Sequence, residues 1–363
     1  MRLDALIAAP QYSLSQAEKE AHLLTEMRAL TDHHRRNSTT YRRALASMAE
    51  DARIEVLSDV PYLPVGLFKS HLLSSVPEDE VFKTMTSSGT TGQQVSRIVL
   101  DRNTAQRQSQ ALTAIMTHVL GPQRLPMIIV DTPNVVKDRK SFSARGAGVL
   151  GMISYGRRHF YALDDDMRLD HHGLAEFLER FQGEPILIFG FTFMVWQYFL
   201  QQLAPGEADL SYAVLIHSGG WKKLIDEAVG NPEFKRLFRE HTGITRVHNF
   251  YGMVEQVGSV FLEGDDGYLH PPNFADVIIR DPLTWQPAPV GEVGVIQLLS
   301  ALPTSYPGHS ILTEDLGIIH GVTEPSGASW GGKQLEVIGR VPRAELRGCS
   351  DTHAADVDTR ASA

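Results

Sequence analysis

The chain has 363 residues, 42% hydrophobic and 21% charged, and its 34 Lys and Arg against 43 Asp and Glu give a formal net charge of −9. That length and composition suit a soluble globular protein with a full core, either two domains or one large α/β domain with a small appendage, and no basic stripe offers itself to nucleic acid. Met1-Arg2-Leu3-Asp4 lacks the layout of a signal peptide, the apolar runs are too short to span a bilayer, and a single cysteine, Cys349, excludes an intramolecular disulfide, so the expected location is cytoplasmic.

From Leu14 to Ala49 the spacing predicts helix, with Ser15 and Glu18 at capping-box distance and Leu23, Leu24, Met27 and Leu30 at helical intervals. The polar patch His33-His34-Arg35-Arg36 is expected to interrupt it. Neighbouring histidines on a helix point in different directions and no Cys/His framework accompanies them, which argues against a metal site. Ser58 to Val65 reads as a proline-stiffened extended segment, and Phe68 opens a short apolar turn.

Thr86-Ser87-Ser88-Gly89-Thr90-Thr91-Gly92 has no apolar period and no helix former. Its glycines let the main chain approach a ligand, and its N–H and hydroxyl donors can surround a polyphosphate without burying charge. It reads as a phosphate cradle, although a flexible linker has the same composition. Structured segments follow closely, a strand at Arg97 to Asp101, a helix over 103–119 and a buried strand over 127–131, and they favour the cradle. It is not a GxxxxGK[ST] loop, because Gln93 and Gln94 follow the last glycine.

Gly146-Ala147-Gly148-Val149-Leu150-Gly151 spells G-x-G-x-x-G, yet polar residues from Lys137 to Arg145 precede it where a dinucleotide fingerprint needs a strand, so close packing or a substrate channel is the better reading. Asp164-Asp165-Asp166 with His171 and His172 reads as a solvated helix start. Strand-like 186–189 and 213–216 alternate with helix-like 193–203 and 221–228, an α/β pattern. In Asn249-Phe250-Tyr251-Gly252-Met253-Val254-Glu255-Gln256 a carboxylate stands at a strand-to-helix turn. Glu255 there could hold a phosphate-bound Mg²⁺ and Tyr251 could offer its ring to a base; a core turn with a surface Glu fits equally. Leu312-Thr313-Glu314-Asp315-Leu316-Gly317 carries a carboxylate pair suited either to ribose hydroxyls or to a hairpin turn. Residues 268–299 look like short strands of a distorted barrel or sheet.

In their shared order these motifs resemble the adenylate-forming superfamily of acyl- and aryl-CoA ligases, and most closely its acyl-protein synthetase (LuxE-type) family. Thr86 to Gly92 matches the phosphate loop, His217-Ser218-Gly219-Gly220-Trp221-Lys222 the adenine-side glycine turn, and Tyr251 to Glu255 the Tyr-Gly-x-Thr-Glu motif. Thr313-Glu314-Asp315 is similar to the ribose-binding Asp motif, Gly339-Arg340 to the hinge, and Arg347-Gly348-Cys349-Ser350 to the acyl-accepting end. The resemblance implies a mixed α/β large domain over 1–338, with two αβ subdomains and a distorted β-barrel. A hinge remnant and mobile tail would follow over 339–363, the C-terminal lid being truncated.

It further implies an ATP site of Thr86, Ser87, Ser88, Gly89, Thr90, Thr91, Gly92, Ser218, Gly219, Gly220, Tyr251, Gly252, Asp315 and Arg340, with Mg²⁺ on Glu255. Catalysis would rest on Cys349, Glu255 and Arg340, and the acyl pocket on Phe191, Phe193 and Gly148, residues that equally fit a plain core. The implied reaction is activation of a carboxylic, expectedly fatty, acid as acyl-AMP, then transfer to Cys349 for delivery to a partner acyl reductase. Transfer to an external thiol of coenzyme A or a carrier protein, or a nucleotide-binding subunit without catalysis, are the alternatives. The chain departs from the pattern at the end of the phosphate loop, where Gln94 and Val95 replace the usual lysine, and at Val254, which replaces Thr. Lys222 or Lys223 is then the expected group to neutralise departing pyrophosphate.

Overall fold

A computed structural model describes residues 2–48, 53–87, 95–136, 144–221, 228–327 and 329–341. They form two compact units, one from the described parts of Met1–His118 and Tyr251–Glu345, the other from those of Val119–Phe250.

The first unit opens with α1 (Leu3–Ala8), α2 (Gln16–Asn37) and α3 (Thr39–Met48). The capping box at the start of α2 is present: the Ser15 hydroxyl accepts from the Glu18 N–H, and the Ser15 N–H donates to the Glu18 carboxylate at 2.9 Å. The helix does not stop at the basic patch as expected. The patch runs on into its last turn, where the charges of Arg35 and Arg36 suit the helix dipole, and the break falls at Ser38, whose backbone is extended. The chain then runs through β1 (Leu63–Pro64) and α4 (Leu67–Ser70) to an antiparallel hairpin of β2 (Lys83–Thr86) and β3 (Arg97–Leu100), followed by α5 (Arg102–Leu120).

The second unit is a parallel α/β layer. It contains β4 (Leu125–Ile129), α6 (Ala144–Met152), β5 (Gly156–Tyr161), α7 (His171–Arg180), β6 (Ile186–Phe191), α8 (Thr192–Met194), β7 (Ala213–Ser218), α9 (Asn231–Thr242) and β8 (Arg246–Tyr251). The strand order is β5-β4-β6-β7-β8, all parallel. β4 and β6 are buried along their whole length, as expected of parallel strands covered on both faces. Two local expectations change here, and a third falls where nothing tests it. The expected helix over 193–203 is broken, α8 passing into a π-helical turn, Val195–Phe199, and a 3₁₀ turn, Leu200–Gln202. The wider turn keeps Val195, Trp196 and Phe199 all in the core. Asp164 closes a turn upstream by accepting from the N–H groups of Asp166 and Arg168, and it is Asp170 that caps α7. The helix expected over 221–228 falls on residues 222–227, outside the described residues.

Returning to the first unit, the chain adds β9 (Phe261–Glu263), β10 (Leu269–His270), β11 (Ala275–Arg280), β12 (Gly294–Ser300), β13 (Ser310–Thr323) and β14 (Gly332–Arg340). These form a bulged antiparallel sheet in the order β9-β10-β14-β13-β12-β11, and β1 adds to β13 in parallel. The buried base of α2 locks to this sheet: Gln16 donates to Asp276 at 2.8 Å, and Lys19 lies 3.8 Å from the same carboxylate. Burial alone would raise the Asp276 pKa, but the Lys333 and Lys19 charges hold it below the usual range. No described helix is long and apolar enough to cross a membrane.

Candidate active site

The site in the first unit begins at the stem of the β2–β3 hairpin. The Ser87 N–H donates to the Ser96 carbonyl at 3.1 Å, and the Ser96 N–H returns a bond to the Ser87 hydroxyl at 2.9 Å. Thr86 ends β2 and Ser87 follows it at this stem; Ser88, Gly89, Thr90, Thr91 and Gly92 lie outside the described residues. Ser96 is fully buried, and its hydroxyl acts on the Glu255 carboxyl. The stem of the hydroxyl-rich loop thus lies close to the glutamate 159 positions further on.

Glu255 is not a surface residue. After Gly252, Met253 is extended and Val254–Gln256 form one 3₁₀ turn that buries Glu255 to 5% exposure. Neighbours fix that turn from three sides: the Tyr306 hydroxyl donates to the Glu255 carbonyl at 2.9 Å, and the Gln256 amide donates to the carbonyls of Gly308 at 2.8 Å and Leu298 at 3.2 Å. Burial pushes the Glu255 carboxyl above its ordinary pKa; the Ser96 hydroxyl and the Lys69 charge pull it back, and Glu314 pushes it up again.

Asp315 owes its position to a bulge. Leu312 pairs with Gln297 and Leu316 with Val295, so Thr313-Glu314-Asp315 stand opposite Ile296 alone. The Thr313 hydroxyl ties the bulge by donating to the Ile296 carbonyl at 2.9 Å and accepting from the Asp315 N–H at 3.1 Å. A bulge re-aims side chains. Here it brings Asp315 to the Tyr251 hydroxyl at 2.7 Å and to Arg340 Nε at 3.6 Å, Arg340 being its register partner on β14. The hairpin-turn reading of this motif is thus corrected, because the residues lie within a 14-residue strand. Burial raises the Asp315 pKa against the pull of Tyr251 and Arg340, and burial with the nearby Asp315 charge drives the Tyr251 phenol well above its ordinary value. Glu314 meets Lys69, Nζ to Oε2 3.5 Å.

In the second unit the expected residues gather at the carboxyl ends of the parallel strands, the usual ligand edge of such sheets. Ser218 ends β7 and its hydroxyl donates to the Phe250 carbonyl at 2.9 Å; Gly219 follows with φ +86, and Gly220 after it. The G-x-G-x-x-G stretch is helical throughout, in α6, where a dinucleotide fingerprint would form a turn, and its Gly148 serves close packing. A Cβ on Gly148 would stand 2.8 Å from the Phe191 ring, and one on Gly219 3.4 Å from the same ring. Phe193 sits in the core beside Trp196 and Phe199. Cys349, Lys222 and Lys223 lie outside the described residues.

Sequence reasoning missed two residues that act on Glu255, Lys69 and Ser96, and one buried ion pair. Lys69 sits in a four-residue turn and Ser96 ahead of a short strand, and nothing in their neighbours marks either. In the second unit a buried ion pair joins Asp131, just past β4, to Arg145 in α6 at 3.0 Å, and burial lifts the Asp131 pKa to about 6 despite the Arg145 charge.

A parallel α/β unit and a bulged antiparallel unit give the chain the fold of the adenylate-forming ligases. The fold matches 2-hydroxyisobutyryl-CoA ligase, solved in an open conformation with 2-HIB-AMP and CoA, at a TM-score of 0.65 and 16% identity over 91% of this chain and 77% of that one. Within that class the chain belongs to the acyl-protein synthetase, LuxE, family, whose pattern matches residues 2–357. Its relatives include the long-chain-fatty-acid–luciferin-component ligases of Aliivibrio fischeri, 23% identical over 351 residues (94% of this chain, 90% of the relative), and of Vibrio harveyi, 25% identical over 353 (94% and 89%). The chain is a ligase.

Proposed function

We propose that this ligase uses ATP to activate a long-chain fatty acid as an acyl adenylate, passes the acyl group to the Cys349 thiol, and delivers it from there to a partner acyl reductase in the cytoplasm. The observation that carries the adenylation step is the meeting, in one unit, of the Ser87–Ser96 loop stem, buried Glu255 and the Tyr251–Asp315–Arg340 cluster. A carboxylate is a poor electrophile, and joining it to AMP supplies a leaving group that a thiol can displace. That first step is chiefly a problem of position and charge. Asp315, held by Tyr251 and Arg340, presents an acceptor for ribose hydroxyls, and the loop's neutral donors suit the phosphates. A buried carboxyl raised by desolvation and flanked by a hydroxyl suits a hard cation, so Glu255 would hold Mg²⁺, which when bound draws charge off the phosphates. Phe191, Phe193 and Gly148 offer an apolar wall for the acyl chain, and the names of the two bacterial relatives support a long-chain fatty acid.

Exchange of labelled pyrophosphate into ATP, dependent on added fatty acid, tests adenylation; its absence leaves a nucleotide-binding subunit without catalysis. Radiolabelled fatty acid with ATP then tests the acceptor. Hydroxylamine-labile label on the protein should disappear in Cys349→Ser, whereas label that needs coenzyme A or a carrier protein assigns an external thiol.

A further inference from the structure

Lys69 has no part in the scheme above, yet its placement is tightly fixed. β1 pairs with β13 at Leu63 with Ile311 and Pro64 with Leu312, and the Val65 N–H donates to the Leu312 carbonyl at 2.9 Å, which pins the chain beside the Thr313–Asp315 bulge. α4 starts two residues later. Its Phe68 is fully buried, edge-on to Tyr306 at 6.3 Å, and Tyr306 is the residue that holds the Glu255 carbonyl. The next side chain, Lys69, is a quarter exposed and rests on Glu314 while its charge acts on Glu255. Glu314 also faces two other carboxylates, its charge acting on both Glu255 and Asp315. The partly exposed Lys69–Glu314 pair at 3.5 Å is weak and exchangeable. A neutral hydroxyl loop without its own lysine leaves a departing polyphosphate in need of a cation from elsewhere.

We propose that Lys69 is that cation: it leaves Glu314 to meet the β- and γ-phosphates of ATP and stays with pyrophosphate as it departs. The assignment rests on the adenylation reading. In that step a carboxylate oxygen bonds to the α-phosphorus, the bond from that phosphorus to the bridging oxygen breaks, and the electron pair leaves with pyrophosphate. No proton moves. Charge grows on the leaving group, where a lysine helps most. Glu314 is the resting partner that keeps the amine charged and aimed.

The test uses the full chain with Lys69→Ala, Lys69→Arg and Glu314→Gln. Calorimetric titration with magnesium pyrophosphate, and separately with AMP, reads binding without turnover. Loss of one charge-assisted contact should weaken pyrophosphate binding in Lys69→Ala by about 10- to 100-fold, leave AMP unchanged, and raise the KM for ATP. Lys69→Arg should recover part of the loss, and Glu314→Gln should keep pyrophosphate binding. Unchanged pyrophosphate binding in Lys69→Ala, in a chain whose wild type exchanges pyrophosphate, overturns the Lys69 assignment. An equal loss of AMP and pyrophosphate overturns it too, since that reports a general disturbance of the site. A wild type that binds pyrophosphate through Lys69 yet never exchanges it refutes the adenylation reading while the anion site stands.

Discussion

Asp315 concentrates the residue-scale logic of the site. Its carboxylate is half-buried, pushed toward the protonated form by desolvation, and kept useful by one phenol and one guanidinium. Tyr251→Phe removes the phenolic donor with little change of shape, so stability measured by urea unfolding should drop by about 1–3 kcal/mol, and the KM for ATP should rise because the ribose acceptor is no longer held. Glu255→Gln keeps the size of the side chain and the backbone bond from Tyr306, but removes the charge that a cation would meet. Pyrophosphate exchange should fall by about 100-fold or more without a matching loss of thermal stability, a split that separates a role in the site from a role in the fold. Thr86 to Gly92 and Tyr251 to Glu255 stood out in the sequence because each is a contiguous run, although a linker and a core turn have the same compositions. Lys69 and Ser96 did not, because each is ordinary in its own segment and becomes informative only beside Glu255 and Glu314.

At the scale of elements, two contacts in the second unit govern how α6 sits on the strands. Gly148 has no room for a methyl group against the Phe191 ring. Gly148→Ala should therefore cost about 1–3 kcal/mol by overpacking, and Phe191→Leu in the same chain should return part of it. The Asp131–Arg145 pair ties the same helix to the end of β4. Asp131→Ala leaves a buried guanidinium without its counter-charge and should cost about 3–5 kcal/mol, whereas replacing both partners with apolar residues of similar volume should cost far less; chemical denaturation of the three variants measures the difference. The glycine spacing was visible in the sequence, and so was its unsuitability for a dinucleotide. Its true partner was not, since Phe191 is 43 positions away and reaches α6 only once the sheet has formed.

For the molecule as a whole, buried imidazoles set the response to acid. His34 and His309 stack at 4.9 Å in the first unit, His34 bonded to Ser75 and the Pro303 carbonyl and His309 to Thr31; His217 lies in the second unit bonded to Thr192. Burial lowers all three, His309 and His217 to about 3 and His34 well below its ordinary value. A group whose folded pKa is depressed contributes stability above its unfolded pKa, near 6.5, and loses it as pH falls toward the folded value. At pH 5 that loss is about 2 kcal/mol for each of His309 and His217. Asp131 acts in the opposite sense: its folded pKa is raised, so its contribution is full below about pH 4 and is lost as pH rises through about 6. Between pH 7 and 5 it returns only about 1 kcal/mol, so the histidines win. Urea midpoints should fall steadily below pH 6.5, and His309→Gln should flatten that fall, whereas Asp131→Asn should steepen it.

The sequence by itself determined the α/β alternation and the capping of α2, and it picked out the Tyr-Gly-x-x-Glu and Thr-Glu-Asp runs, because periodicity and turn chemistry act between residues close along the chain. The burial of Glu255, the bulge that turns Asp315 toward Tyr251 and Arg340, and the seat of Lys69 were decided only in three dimensions. Desolvation, register and charge proximity depend on which distant strands become neighbours, and no local spacing encodes that.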